Sequence, residues 1–329
     1  MEPTLILLIL LAVIYDFING VHDSSNIVAT MITSRAFAPR VALYIVACAH
    51  FIAPFLFGVA VAKTIGHDVV NPQEINNGVI IATLISAILW NLFTWFLGIP
   101  SSSSHALIGG LVGAVLVAAG TGAIYLDGLI KVLLALFVSP IIGFLGGFLV
   151  AKVVLFLSSG ATPRINWFFK RSQIITAITL AFSHGTNDAQ KTMGIITLGL
   201  VTSGILKTFY VPLWVITLSA AAIAVGTALG GWRLIKTLGA KFFKIRPVDA
   251  FNAQVTSTGV ILGASLIGGP VSTTQVVSSA IMGVGSAERI SKVRWGVAWD
   301  IAAAWLMTLP TTALLAGLIY WVIAQFRLC

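Results

Sequence analysis

Long apolar stretches alternate with short polar ones along this chain of 329 residues. A membrane-spanning helix needs about 20 mostly apolar residues, and ten stretches approach or exceed that length. We therefore predict ten spanning helices and an all-α polytopic membrane protein. Their approximate ranges are 4–33, 41–62, 78–97, 101–119, 129–156, 173–203, 210–232, 250–268, 270–286 and 295–324.

The first and sixth stretches differ from the others in length and content. Both are too long for one straight crossing, and Gly and polar residues interrupt both, so we expect each helix to be broken there. The first stretch follows Glu2 and lacks a basic leading region. It therefore predicts a span and not a cleaved signal peptide.

Composition agrees with a membrane protein. Charged residues make up 9% of the chain and hydrophobic residues 58%, with a mean hydropathy of +1.02, whereas an ordinary soluble domain is about 25% charged. This excludes a soluble globular enzyme, a disordered chain and a nucleic-acid binder, despite the net charge of +9. Cys48 and Cys329 form neither a disulfide framework nor a metal-ligand spacing.

Basic residues cluster after the first, fifth, seventh and ninth stretches. Such clusters mark cytoplasmic loops, so we predict that both termini lie outside the cytoplasm. Each half then holds five spans, and homologous halves would enter the bilayer in opposite directions. We divide the chain into a first membrane repeat (1–157), a cytoplasmic loop (158–172) and an inverted second repeat (173–329).

Two motifs recur in the two halves in the same order. The segment 17–23 (FINGVHD) matches 182–188 (FSHGTND) at an offset of 165 residues, and 100–105 (PSSSSH) matches 270–275 (PVSTTQ) at an offset of 170. Gly113 and Gly283 share the second offset. Inverted repeats with interrupted helices near the membrane midplane are typical of secondary transporters.

The Pro-Ser motif and its second copy predict an anion site. Pro suits a first helical turn and Ser suits an N-cap, and a helix N-terminus offers free N–H groups and about half a positive charge. The alternative is that these hydroxyls only pack helices or satisfy nearby carbonyls. The candidate ligands are Ser101, Ser102, Ser103, Ser104, Ser272, Thr273 and Thr274.

The first motif pair brings an acid into each half. An Asp at the bilayer centre costs about 2.5–3.5 kcal/mol, so Asp23 and Asp188, with their neighbours His22 and Asn187, predict a site for a monovalent cation or a proton. The alternative is a structural carboxylate that caps a half-helix. Secondary candidates are Asn26, Gln190, Lys191, His105 and Gln275. Less weight falls on Asn91, Asn252 and Gln254, which are as readily explained as contacts between helices. The same holds for Asp16, His50 and Asp300, which lie within predicted spans but lack a counterpart in the other half.

These stretches resemble the inorganic phosphate transporter (PiT) family, and in particular its bacterial low-affinity branch. The matching segments are 19–26 (NGVHDSSN), 98–105 (GIPSSSSH), 183–191 (SHGTNDAQK) and 270–275 (PVSTTQ). The resemblance implies a symporter that takes up phosphate with sodium or protons. It implies that Asp23 and Asp188 are the essential acids, with sodium as a candidate metal there, and that the Ser and Thr residues surround phosphate. Whether 98–119 and 270–286 are helical hairpins or full crossings stays open.

Two positions depart from the family pattern. His22 stands where many sodium-coupled members have Asn, and proton-coupled bacterial relatives also have His, which favours protons. Gln275 stands where the second motif usually ends in His, which puts a symmetric path through two histidines in doubt.

We therefore predict a multi-pass protein of the cytoplasmic membrane that imports inorganic phosphate by proton or sodium symport with alternating access. It is not an enzyme and needs no cofactor, and its partners are phosphate and lipid, not nucleic acid. The alternatives are a symporter of another oxyanion such as sulfate, and a passive anion channel. Motifs of a hydrolase are absent from the sequence. Carriage of a metal–phosphate complex and assembly as a homo-oligomer stay open.

Overall fold

The computed structural model of the protein describes residues 3–240 and 242–326. These residues form helices joined by short turns, and their one β-bridge pairs Val70 with Ile124. The all-α prediction is confirmed. The helices are α1 (Pro3–Thr33), α2 (Pro39–Ile52), α3 (Ala60–Lys63), α4 (Asn77–Leu97), α5 (Ser103–Ala119), α6 (Leu126–Leu157), α7 (Ile165–Thr202), α8 (Leu213–Leu229), α9 (Trp232–Ala240), α10 (Pro247–Leu266), α11 (Thr273–Glu288) and α12 (Trp295–Gln325).

Several of these helices have the length and apolarity of a membrane crossing. Among the described residues α1, α4, α6 and α12 do so as single helices, and the segment 39–68, bent by 70°, adds a fifth candidate. The long helix α7 begins at Ile165, eight residues before the predicted start of the sixth span. The chain is a multi-pass membrane protein, although its ten predicted spans are not ten equivalent crossings.

The predicted breaks in the first and sixth spans are wrong. Helix α1 runs unbroken through Gly20, and α7 runs unbroken through Gly185. Both glycines serve close packing: a Cβ on Gly20 would lie 2.3 Å from the carbonyl oxygen of Ile223 in α8, and one on Gly185 would lie 2.9 Å from the Cα of His50 in α2. The two helices therefore offer no unwound carbonyls as ligands near the acids.

The molecule has two distinct ends. At the first, which we call the terminal end, Asn76 bonds Tyr320 near the end of α12, Asn77 bonds Ser203 after α7, and Val70 pairs with Ile124 before α6. At the second, which we call the basic end, Ser34 bonds Gln173, Gln173 bonds the carbonyl of Pro247, and the amide of Arg294 bonds the carbonyl of Phe242. Leu8 of α1 packs on Gly199 of α7, so the first turns of α1 and the last turns of α12 lie toward the terminal end.

Helices α4 and α5 form one hairpin, and α10 and α11 form another. The open ends of the first hairpin lie at the terminal end, and those of the second lie at the basic end, where Arg246 pairs with Glu288 at 2.5 Å. Their tips are residues 98–102 and 267–272, of which 100–102 and 268–272 are buried between these ends. The Ser104 hydroxyl donates to the Val271 carbonyl at 3.0 Å. The spans predicted at 101–119 and 270–286 are thus second arms of hairpins. Pro100 and Pro270 lie in the tips before the helices begin, not in their first turns.

Each second arm packs tightly against a long helix, α5 on α12 and α11 on α6. A Cβ on Gly113 would lie 2.0 Å from the carbonyl oxygen of Ala313, and one on Gly283 would lie 2.0 Å from that of Phe144. The two long helices also carry internal prolines, Pro140 and Pro310, at the 170-residue offset. Glycine at 113 and 283 therefore permits a backbone contact that no other residue allows.

Replacement of Gly283 by Ala should destabilise the fold. The added methyl group collides with backbone, which cannot rotate away as a side chain can, and overpacking costs about 1–3 kcal/mol. We expect a lower midpoint of thermal unfolding in detergent. The matched control is Gly263→Ala in α10, where no atom lies within 4 Å of the new Cβ. Equal midpoints for the two variants would contradict this packing argument.

Candidate functional site

The two hairpin tips meet where α1 passes α7, and the two acids of the repeated motif lie at this point. Asp23 and Asp188 are both 0% exposed. One ligand atom each from Asp23, His184 and Asp188 lies within 4.8 Å of the others. The structure thus brings the two predicted acids into one cluster, although they are 165 residues apart in sequence.

The Asp23 carboxylate is surrounded by uncharged donors from both halves. It accepts hydrogen bonds from the Thr274 hydroxyl at 2.8 Å, the Asn26 amide at 3.0 Å and the Ser103 hydroxyl at 3.3 Å. His22 Nδ1 lies 3.5 Å away. Among the described residues, Asp23 therefore has no Lys or Arg as a fixed partner.

The Asp188 carboxylate has a different set of neighbours. The Lys191 ammonium donates to it at 2.5 Å, His184 Nδ1 lies at 2.7 Å, and the Thr273 hydroxyl donates at 3.2 Å. His184 Nε2 lies 3.4 Å from the Asn26 amide nitrogen, so this ring links the surroundings of the two acids.

Three of the seven hydroxyl residues predicted from the tips contact the acids, and a fourth contacts the lysine paired with Asp188. Ser103 and Thr274 bond Asp23, Thr273 bonds Asp188, and Ser104 bonds Lys191 at 2.6 Å. The other three have local roles. Ser102 and Ser272 are N-caps that accept from the amides of His105 and Gln275, and Ser101 bonds Thr94 at 2.7 Å.

The sequence of each tip explains why a helix starts beside an acid. Gly98 ends α4 with φ +69°, a conformation that Gly adopts without strain. The capping serines then start α5 and α11, and the first N–H groups of each helix have no intrahelical partner. The hydroxyls of residues 103, 104, 273 and 274 thus lie at two helix N-termini, which favour a negative charge.

The secondary candidates divide into residues that contact the two acids and residues that contact other groups. Asn26 and Lys191 contact the acids directly. Two others contact different groups: Gln190 accepts from the amides of Val61 and Ala62, and His105 bonds the Ser102 hydroxyl at 2.7 Å. Asn187, predicted with Asp188 as part of the cation site, donates instead to Ser265 at 2.8 Å and to the Gly269 carbonyl at 3.2 Å. Gln275 contributes its backbone amide to the cap at Ser272.

Three residues that sequence analysis did not select as site residues belong to this region. The Tyr15 hydroxyl donates to the Ser103 carbonyl at 3.0 Å. His184 lies one helical turn before Asp188, a spacing that could have indicated the contact. Asp16 is 0% exposed, and its carboxylate lacks a hydrogen-bond partner among the described residues. An acid within an apolar run was the available signal, but Asp16 has no counterpart in the second half.

An ion-pair network fixes the open end of the second hairpin. Arg246 and Lys292 contact Asp249 and Glu288 at 2.5–3.3 Å. The hydrogen bond that Lys292 donates to Glu288 lowers the pKa of Glu288. The hydrogen bond that Arg246 donates to Asp249 raises the pKa of Arg246. A carboxyl group whose pKa is lowered by folding stabilises the fold at pH values above its ordinary pKa. This contribution of Glu288 is lost as the pH falls through the lowered pKa.

The arrangement can hold an anion and cations together. Hydroxyl groups and helix N-termini supply uncharged donors for an oxyanion, and the two buried carboxylates supply oxygen ligands for a cation or bind a proton. The hydroxyls are hydrogen-bonded to the carboxylates and to Lys191, so binding of an anion to the hydroxyls would alter binding of a cation to the carboxylates.

Comparison with known proteins finds matches over nearly the whole length of this chain. The group described as the phosphate transporter family matches residues 19–164 and 157–316. A relative from Bacillus subtilis (strain 168), named "Probable low-affinity inorganic phosphate transporter", is 45% identical over 97% of this chain and 96% of its own. A relative of the same name from Rhizobium meliloti (strain 1021) is 44% identical over 97% of this chain and 96% of its own.

A solved structure has the same fold. It is described as "The sodium-dependent phosphate transporter" and superposes with a TM-score of 0.89. The match covers 98% of this chain and 100% of the other, at 25% sequence identity.

Proposed function

The chain belongs to the phosphate transporter family, and from this premise we propose that it imports inorganic phosphate across the cytoplasmic membrane as a secondary active symporter. The observation that carries the proposal is the meeting of the two hairpin tips at Asp23 and Asp188. Phosphate would bind there together with its coupling cations. The chain is a transporter of this family and not an enzyme.

The proposed phosphate ligands are the hydroxyls at the two helix starts. Ser103 and Ser104 come from one tip, and Thr273 and Thr274 come from the other. A tetrahedral oxyanion between them would find donors on most of its oxygens, at two helix N-termini that favour anions. In the structure these hydroxyls bond the acids and Lys191, so phosphate would compete for them.

Coupling to cations is required by the membrane potential. Moving one negative charge inward against 100 mV costs about 2.3 kcal/mol, and a divalent anion costs about 4.6. Cations at the two acids would offset this charge and draw on the ion gradient. His22 beside Asp23 supports protons as the coupling ion, and the name of the similar solved structure supports sodium.

Alternating access is proposed from the opposite entry of the two hairpins. One hairpin comes from the terminal end and the other from the basic end, and among the described residues Ser104 donates a direct hydrogen bond from the first tip to the Val271 carbonyl of the second. Movement of one hairpin against its neighbouring helices would open the site to one side. That the two halves are inverted copies stays a prediction.

The charge distribution supports an orientation. Basic residues gather at the basic end, where Arg35, Arg246, Lys292 and Arg294 lie. Positively charged loops remain cytoplasmic, so the basic end would face the cytoplasm. Both termini would then be extracytoplasmic.

Uptake of radiolabelled phosphate into liposomes tests this function. We expect accumulation that depends on an inward proton gradient, or on an inward sodium gradient, when the two are imposed separately. Uptake that follows phosphate alone, with neither gradient required, would indicate a passive anion channel. Full inhibition by a small excess of sulfate would indicate a different oxyanion as substrate.

A further inference from the structure

The contacts of the two acids correspond closely, with one change of charge. The Asn26 amide donates to Asp23 and to Thr274, each at 3.0 Å. At the matching positions, the Lys191 ammonium donates to Asp188 at 2.5 Å and to Ser104 at 2.6 Å. Asn26 and Lys191 share the 165-residue offset of the acids, and Ser104 and Thr274 share the offset of the tips. An ammonium group thus occupies the place that a neutral amide has in the first half.

The surroundings of the Lys191 ammonium are those of a bound cation. Its side chain is 1% exposed, and three oxygens of different kinds contact the nitrogen: the Asp188 carboxylate, the Ser104 hydroxyl and, at 2.9 Å, the Val271 carbonyl. Carboxylate, hydroxyl and carbonyl oxygens also coordinate monovalent cations at the centre of secondary transporters. The side chain therefore fills a cage that could hold a free ion.

We infer that Lys191 is a built-in counter-cation that takes the place of one co-transported cation at Asp188. This inference rests on the proposed symport of phosphate. The co-transported cation would then bind at Asp23, whose close neighbours Thr274, Asn26, Ser103 and His22 include no Lys or Arg among the described residues. The second half would contribute its charge without moving an ion.

The variant Lys191→Asn tests the inference because it gives Asp188 the partner that Asp23 has. Liposomes containing the variant are loaded with a pH indicator, and uptake of radiolabelled phosphate is measured beside uptake of radiolabelled sodium and of protons. We expect the number of cations taken up per phosphate to rise by one relative to the unaltered protein. Lys207→Asn is the matched control, since Lys207 is exposed in a loop, and its ratio should not change.

Weaker phosphate affinity with an unchanged ratio would overturn the inference and make Lys191 an anion ligand. If Lys191→Asn does not transport, its thermal unfolding in detergent decides the question. Stronger stabilisation by added sodium, or by a lower pH, than the unaltered protein shows would support a newly opened cation site. Equal stabilisation of the two proteins would overturn the inference. This second measurement needs no phosphate transport, so failure of the unaltered protein to take up phosphate would refute the proposed function separately.

Discussion

Phosphate uptake should fall to the level of empty liposomes when Asp23 is replaced by Asn. The substitution keeps the shape of the side chain and removes the carboxylate that the proposed coupling cation needs. Even if phosphate still bound, the loss of one co-transported charge would remove about 2.3 kcal/mol of driving force at 100 mV, roughly a 50-fold loss of accumulation. Initial rates and final accumulation in proteoliposomes measure the effect.

The same substitution should leave the fold intact. The neighbours of Asp23 are hydroxyls, an amide and an imidazole, which can reverse or reorient their hydrogen bonds toward an amide. The matched control is Asp300→Asn, an identical change at an exposed acid in α12, which should transport normally. Near-normal uptake by Asp23→Asn would remove Asp23 from the cation site.

The fold class follows from the pattern of apolar residues, since a chain with so few charges must place its helices in lipid. The hairpins do not follow from this pattern. An arm such as α5 is as apolar as a crossing, and only its contacts reveal that the tip stops inside the protein. The breaks predicted in α1 and α7 were wrong because Gly20 and Gly185 signal close helix packing as readily as they signal an interruption.

The sequence predicts which residues form the site, but it does not predict which of these residues contact each other. Repeated motifs identify Asp23 and Asp188, and the Pro-Ser motifs identify the tips. The bonds that join them connect residues as far apart as Asp23 and Thr274, and no local spacing specifies such a pairing. Lys191 is the clearest example of a role that the sequence does not predict, because in the sequence it is one polar residue among several candidates.

Replacement of Asp188 by Asn should, in contrast to Asp23→Asn, destabilise the protein as well as abolish uptake. In sequence the two acids are equivalent, because each lies in a copy of the same motif. The structure pairs Asp188 with the buried Lys191, and removal of one partner of a buried ion pair costs about 3–5 kcal/mol because the remaining charge has no counter-ion. We expect the midpoint of thermal unfolding in detergent to fall well below that of Asp23→Asn.

The double variant Asp188→Asn with Lys191→Met separates stability from function. Without the ammonium no charge is left unpaired, and replacing a buried pair with groups of similar size is often close to neutral, so most of the lost stability should return. Uptake should not return, because the second carboxylate is still absent from the site. If instead Asp188→Asn alone unfolds at the same temperature as Asp23→Asn, then Asp188 does not neutralise Lys191, and the difference between the two halves has to be explained by groups other than this pair.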